Sequence, residues 1–148
     1  MERKIAVAGE IERDEIFDYA GINREEATGT ASPDSRINMI EAYEHSLKHD
    51  AYFLCVKEGD SLLGWIMVDK SFDWLNGEEI GWINDVYVKK DYRGQGLSSW
   101  LMEAALEDLR QLGHTEVRLN VYSFNEKAIA LYKKFGFENI CTFMGRSL

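Results

Sequence analysis

The sequence predicts one mixed α/β domain, and three observations carry that expectation. Apolar residues recur at helical spacing in some segments and at strand spacing in others, the two kinds interleave along the chain, and glycines stand where one gives way to the next. With 148 residues, 45% hydrophobic, 29% charged and a single proline, the chain is long enough to bury a core and too short for two. The same composition excludes a disordered chain, so a single domain over residues 1–148 is expected.

The elements follow in order. Lys4–Ala8 reads as a short strand and Arg13–Ala20 as a helix ending at Gly21. Ile22–Pro33 is polar and irregular, with Gly29 and Pro33 as breakers. Ile37, Ile40, Tyr43 and Leu47 make a helical stripe over Ser35–Leu47, which Asp34 is placed to cap. Ala51–Lys57 and Leu62–Val68 form a hairpin around Glu58, Gly59 and Asp60. A loop follows, Ser71–Glu79. Ile80–Val88 then alternates, with Ile80, Trp82, Asn84, Val86 and Val88 on one face and Gly81, Ile83, Asp85 and Tyr87 on the other. Both faces are largely apolar, as in a strand covered on both sides. Leu97–Leu112 is the clearest helix, with Leu97, Trp100, Leu101, Ala104, Ala105, Leu109 and Leu112 in its stripe and Gly113 as its stop. Glu116–Tyr122 is a strand, Glu126–Phe135 a short helix capped by Asn125, and Phe137–Met144 a last strand.

Composition also narrows the class. No apolar run approaches the roughly 18 residues that span a bilayer, and Met1–Lys4 opens on charges, so a soluble cytoplasmic protein away from membranes is expected. Cys55 and Cys141 sit in apolar segments without metal-ligand spacing and read as buried free thiols. Lys plus Arg is 17 and Asp plus Glu is 26, a net charge of −9 that argues against a nucleic-acid partner. Residues 1–60 hold 14 acids and 7 bases, whereas residues 101–148 hold 6 of each. A cationic partner suits the front half. His45 and His49 have zinc-ligand spacing but no third ligand nearby, so no metal is expected. Trp74 either lines a cleft or covers the sheet, and Glu41, Glu44, Glu78 and Glu79 either greet an ammonium group or are surface charge.

One segment carries chemistry. After the Ile80–Val88 strand come Lys89, Lys90 and Arg93, then Gly94, Gln95 and Gly96, and directly the Leu97 helix. A strand that turns through glycines onto a helix aims free backbone N–H groups and the positive helix end at one point. Without Cβ atoms at Gly94 and Gly96, a phosphate can approach the backbone closely. No Gly-Lys-Ser/Thr follows, so this is not an NTPase loop, and the third glycine of a dinucleotide fingerprint is missing.

Arg93-Gly94-Gln95-Gly96-Leu97-Ser98, preceded by Val86-Tyr87-Val88, resembles the acyl-CoA pyrophosphate motif Arg/Gln-x-x-Gly-x-Gly/Ala of the GNAT superfamily of N-acetyltransferases. Further on, Asn125 to Phe137 resembles the superfamily's second signature, Asn-x-x-Ala-x-x-Leu-Tyr-x-x-x-Gly-Phe. The resemblance implies a mixed, mostly antiparallel sheet flanked by about four helices and acetyl-CoA as cosubstrate. It implies that the backbone of Val86, Tyr87 and Val88 meets the pantetheine arm, and that the N–H groups of Gln95, Gly96, Leu97 and Ser98 hold the pyrophosphate beside Gly94 and Arg93. Asn125 would reach the pantetheine, cap its helix, or do both. Tyr132 would return a proton to the departing thiolate, against the plain alternative of a core aromatic.

The base is less direct. Baring the lone pair of an amine with a pKa of about 10.4 at pH 7 takes roughly 4.6 kcal/mol. The two positions where family members carry a glutamate hold Asn84 and Asn120, amides that accept no proton. Asp85 is the nearest carboxylate and the candidate base, the alternative being a structural acid. Ser98 stands where glycine or alanine is usual. The chain stops at Leu148, so one wall of the acceptor pocket is either short or completed by another subunit of a homodimer. The expected function is acetyl transfer from acetyl-CoA to a small cationic amine (polyamine, aminoglycoside or amino-acid-like). The alternatives are a protein N-terminus or ribosomal-protein acetyltransferase and a non-catalytic acyl-CoA sensor.

Overall fold

The computed structural model describes residues 1–148. A five-stranded sheet runs in the order β1 (Arg3–Val7), β2 (Tyr52–Glu58), β3 (Ser61–Phe72), β4 (Glu79–Val88) and β5 (Val117–Arg118). Neighbours are antiparallel except β4 and β5, which run parallel. Helices α1 (Glu10–Asp18), α2 (Ala20–Thr28) and α3 (Ser35–Leu47) cover one face around Ile16, Tyr43, Phe53 and Trp65. Helices α4 (Leu97–Gln111) and α5 (Glu126–Lys134) cover the other, where Leu101 and Leu109 meet Leu54, Ile66 and Ile83. The mixed, mostly antiparallel class is the one expected, with five helices rather than four.

The segment expected to be irregular is helix α2. Gly21 does not end α1; it lets α3 cross closely, since a Cβ there would lie 3.2 Å from the Cβ of Arg36. The stop comes at Gly29, with φ of 72°. Burial of Asn23 against the sheet holds this polar turn helical, a tertiary contact that local propensity does not register.

The strict alternation expected along β4 fails at Asn84. Asp85 pairs with Met67 and Ile83 with Val68, so Asn84 has no partner and forms a β-bulge. The extra residue reverses the faces. Ile83 joins Val86 and Val88 against α4, while Asp85 and Tyr87 face the α1–α3 layer.

The far edge also departs from expectation. Strand β5 has two residues rather than seven, and residues 138–148 form no strand and lie exposed. No strand of the sheet pairs with Phe137–Met144, so its backbone N–H and C=O groups beyond Phe137 are left to water. Cys141 is therefore exposed, while Cys55 is buried as expected and its thiol is pushed up to about 11 by burial. Neither Asp34 nor Asn125 makes a side-chain cap bond.

Candidate functional site

The sharpest local feature lies where β4 hands over to α4. One 3-10 turn, Lys90–Tyr92, leads through Arg93 to Gly94 and Gly96, with φ of 79° and 77°. Only glycine adopts that backbone without strain, and a Cβ at either position would meet nothing within 4 Å. The first N–H after Arg93 to find an acceptor is that of Trp100, bonded to the Gly96 carbonyl at 3.1 Å. The amides of Gly94, Gln95, Gly96, Leu97, Ser98 and Ser99 bond to no protein acceptor. Six consecutive free donors around open space at a helix N-terminus are suited to a phosphate-sized anion.

The cations near this turn are less available than the sequence suggests. Arg93 Nε donates to the Val88 carbonyl at 2.8 Å, its Nη2 to Glu26 at 2.7 Å, and its guanidinium lies over the Tyr87 ring at 5.2 Å. Lys89 pairs with Glu15 and lies over Tyr19. Gln95 Oε1 accepts from Arg3 Nη1 at 2.6 Å. Arg93 and Lys89 thus brace the turn against α1 and α2, and the backbone amides provide the open donors.

Beside the turn runs a free backbone edge. Strand β5 pairs with β4 only at Gly81 and Trp82, so from Ile83 to Val88 that side of β4 has no strand partner. Val86 and Val88 lie there, with Tyr87 packed beneath on the opposite face. Lys134 on α5 donates to Ser99 at 3.2 Å, drawing α5 to the start of α4. Asn125 makes no side-chain bond and its side chain is free for a ligand. Tyr132, on the same helix, is half-buried against the α4-side core and packs edge-on to Phe137 at 6.0 Å. No hydrogen bond acts on its hydroxyl, which is not sealed from water. Burial, and after it the charge of Asp85, push the phenol up to about 12, so it keeps its proton at neutral pH.

Asp85 stands in a cage of donors. Tyr43 donates to Oδ2 at 2.6 Å, Trp65 Nε1 at 3.0 Å and Asn23 Nδ2 at 2.9 Å, and Asn23 also reaches Oδ1 at 3.0 Å. As a residue on an open strand edge Asp85 is half-buried, but its carboxylate is enclosed. Burial raises its carboxyl above the usual carboxylate range, opposed by the bonds from Tyr43, Asn23 and Trp65. The Tyr43 phenol is raised well above its ordinary value by its own burial and by the Asp85 charge. Nothing in the sequence separated these three donors from core residues; Tyr43 and Trp65 occupy apolar positions, and Asn23 lay in the stretch expected to be irregular.

The remaining candidates lie apart. Asn84 donates to Asp69 at 2.9 Å and to Ser46 at 3.1 Å, and Asn120 is exposed. Trp74, Glu41, Glu44, Glu78 and Glu79 are exposed, and His49 Nδ1 lies 2.8 Å from the His45 carbonyl. No helix is long and apolar enough to cross a membrane.

Comparison with known proteins meets this geometry. The family model described as acetyltransferase (GNAT) family matches residues 15–137. Thialysine N-epsilon-acetyltransferase of Bos taurus is 31% identical over 83 residues, 56% of this chain and 48% of that protein. The chain spans about half the length of the first curated relatives it matches. A solved structure from Pyrococcus furiosus, described provisionally as an acetyl transferase, superposes with a TM-score of 0.77 at 25% identity, covering 99% of this chain and 100% of that one. A predicted acetyltransferase from Clostridium acetobutylicum, solved with acetyl-CoA, has a TM-score of 0.78 at 11% identity over 99% and 96% of the two chains, a likeness of fold.

Proposed function

The chain belongs to the GNAT acetyltransferase family, and from that premise we propose that it transfers the acetyl group of acetyl-CoA to the primary amine of a small cationic acceptor. The observation that carries the proposal is the row of six free amides from Gly94 to Ser99 at the end of a strand with an unpaired edge. The amides take the pyrophosphate, and the edge at Val86 and Val88 takes the amide-bearing pantetheine arm as a neighbouring strand would. The chain acts as a cytoplasmic protein on a small molecule, and the acid-rich first 60 residues favour an approaching ammonium group.

Transfer is direct. The amine nitrogen bonds to the thioester carbonyl carbon, the tetrahedral species collapses, and the carbon–sulfur bond breaks. Tyr132 gives its proton to the departing sulfur, which leaves coenzyme A as a thiol, and the phenolate regains a proton, directly or through water, from the nitrogen that has become the amide. Asp85 receives the proton released by the ammonium group, directly or through water. Its raised pKa makes it a better acceptor than an ordinary aspartate, and Oδ1, with Asn23 as its one side-chain donor, keeps lone-pair capacity.

Thiol release from acetyl-CoA, measured against polyamines, aminoglycosides, amino acids and short peptides, tests this. Acceptor-dependent release is expected with the small amines. Tyr132→Phe should lower kcat by about a hundredfold while leaving coenzyme affinity near the parent value. Release with peptides alone would move the assignment to protein acetylation. Coenzyme binding with no release from any amine would make the protein a sensor.

A further inference from the structure

Away from the coenzyme turn, a cavity of about 250 Å³ opens between α2, the start of α3 and the segment that follows β5. Phe124 brings that segment against the end of α2, packing so near Gly29 that a Cβ there would lie 3.1 Å from its ring. Arg24, Thr28, Ser35, Asn38 and Tyr122 are among the lining residues, and no carboxylate lines the cavity. That is unusual placement in a chain of net charge −9.

Arg24 is the decisive group. Five other arginines pair with carboxylates, whereas Arg24 is half-buried with no acid within ion-pair distance. Its one side-chain contact is the weak acceptor Met39 Sδ at 3.8 Å. The exposed Asn38 amide and Tyr122 hydroxyl, with the Ser35 hydroxyl, make no side-chain hydrogen bond, and none of them is sealed from water. A guanidinium whose one side-chain hydrogen bond goes to a thioether, beside neutral donors open to a ligand, matches the planar two-oxygen face of one carboxylate. A dianionic phosphoryl group in so acidic a chain would call for more than one cation. Arg24 also follows Asn23, the residue that holds Asp85 at the β4 bulge, so the cavity and the proposed reaction centre share the α2 wall.

We infer that this cavity binds the carboxylate of the acceptor, so that the acceptor is an amino acid carrying the reactive amine, and not a carboxylate-free polyamine. This rests on the transferase reading for what the carboxylate belongs to, but the site itself is testable without turnover.

Matched pairs make the test: L-lysine against cadaverine, and L-ornithine against putrescine, each pair differing by one carboxylate. The wild-type protein should favour the carboxylated member by about tenfold or more in kcat/KM. Arg24→Gln should bring that ratio close to one by raising KM for the amino acids, and Arg24→Lys should restore part of it. Tyr122→Phe, at an exposed position, should lower the ratio several-fold and serves if Arg24→Gln does not fold. Equal or better turnover of cadaverine and putrescine would overturn the inference and leave the transferase assignment standing. Preference for phosphoethanolamine over every amino acid would overturn it in favour of a phosphate. If no amine releases thiol, calorimetry of L-lysine on the coenzyme A complex decides. Binding that Arg24→Gln weakens by about tenfold or more would keep the carboxylate site while the transferase assignment falls. Absence of binding would overturn both.

Discussion

The Asp85 cage lies on β4 and the glycine turn lies beyond that strand's end, and the two spend their hydrogen-bonding groups in opposite ways. From Gly94 to Ser99 six donors have no acceptor, and around Asp85 three side-chain donors converge on one carboxylate. Unpaired donors facing solvent lose little in the free protein, because water serves them, and they are available to a ligand. Donors enclosed with their acceptor cannot be exchanged so freely, and they lock α2 and α3 to β4. On the proposed reading the turn is the docking surface, and the cage both keeps the cleft wall in place and holds the proposed base.

Asp85→Ala tests the cage most severely. It leaves the buried donors of Asn23, Tyr43 and Trp65 without an acceptor, which should lower stability by about 4 kcal/mol at pH 7 in denaturant unfolding. A loss under about 1 kcal/mol would mean that the cage is not the frame. Gly96→Ala tests the turn. Its Cβ projects into the open space and the left-handed backbone is strained, so coenzyme A affinity should fall about thirtyfold by calorimetry with a stability loss of only about 1 kcal/mol. Were the two substitutions to shift affinity and stability in equal proportion, the division between docking surface and frame would not hold.

The smallest effect is one of slope with pH. Burial raises the phenols of Tyr43 and Tyr132 above the ordinary tyrosine value near 10. A group whose folded pKa exceeds its unfolded one contributes stability that is complete below the unfolded value and is lost as pH rises towards the folded one. Stability should therefore be level near neutral pH with respect to these groups and decline above about pH 10, by at most about 1.4 kcal/mol per pH unit for each phenol. Tyr43→Phe should make the decline shallower, read as unfolding free energy between pH 9 and 11. An unchanged slope would remove Tyr43 from the buried set.

How much of this was legible in the sequence depended on the range of the interactions. The turn was readable because its signals are local: glycines before a periodic apolar helix specify the backbone without help from elsewhere. The cage was not, since Asn23, Tyr43, Trp65 and Asp85 are separated by as many as 62 residues and each passes for an ordinary core or loop residue. The bulge at Asn84 was hidden for the same reason. An alternating pattern looks identical until the neighbouring strand imposes its register. Arg93 and Lys89 show the reverse error, cations that looked free in the sequence but are met by Glu26 and Glu15 from helices far away in the chain.

By itself, then, the sequence determined the class of the fold, the strand–turn–helix with its coenzyme motif, and the helix bearing Tyr132, because short-range sterics and apolar periodicity decide those. Tertiary structure alone decided which face Asp85 takes, which charges are neutralised, and that Arg24 is left without an acid. Those outcomes depend on packing and charge between segments that meet only once the sheet and its two helical layers have assembled.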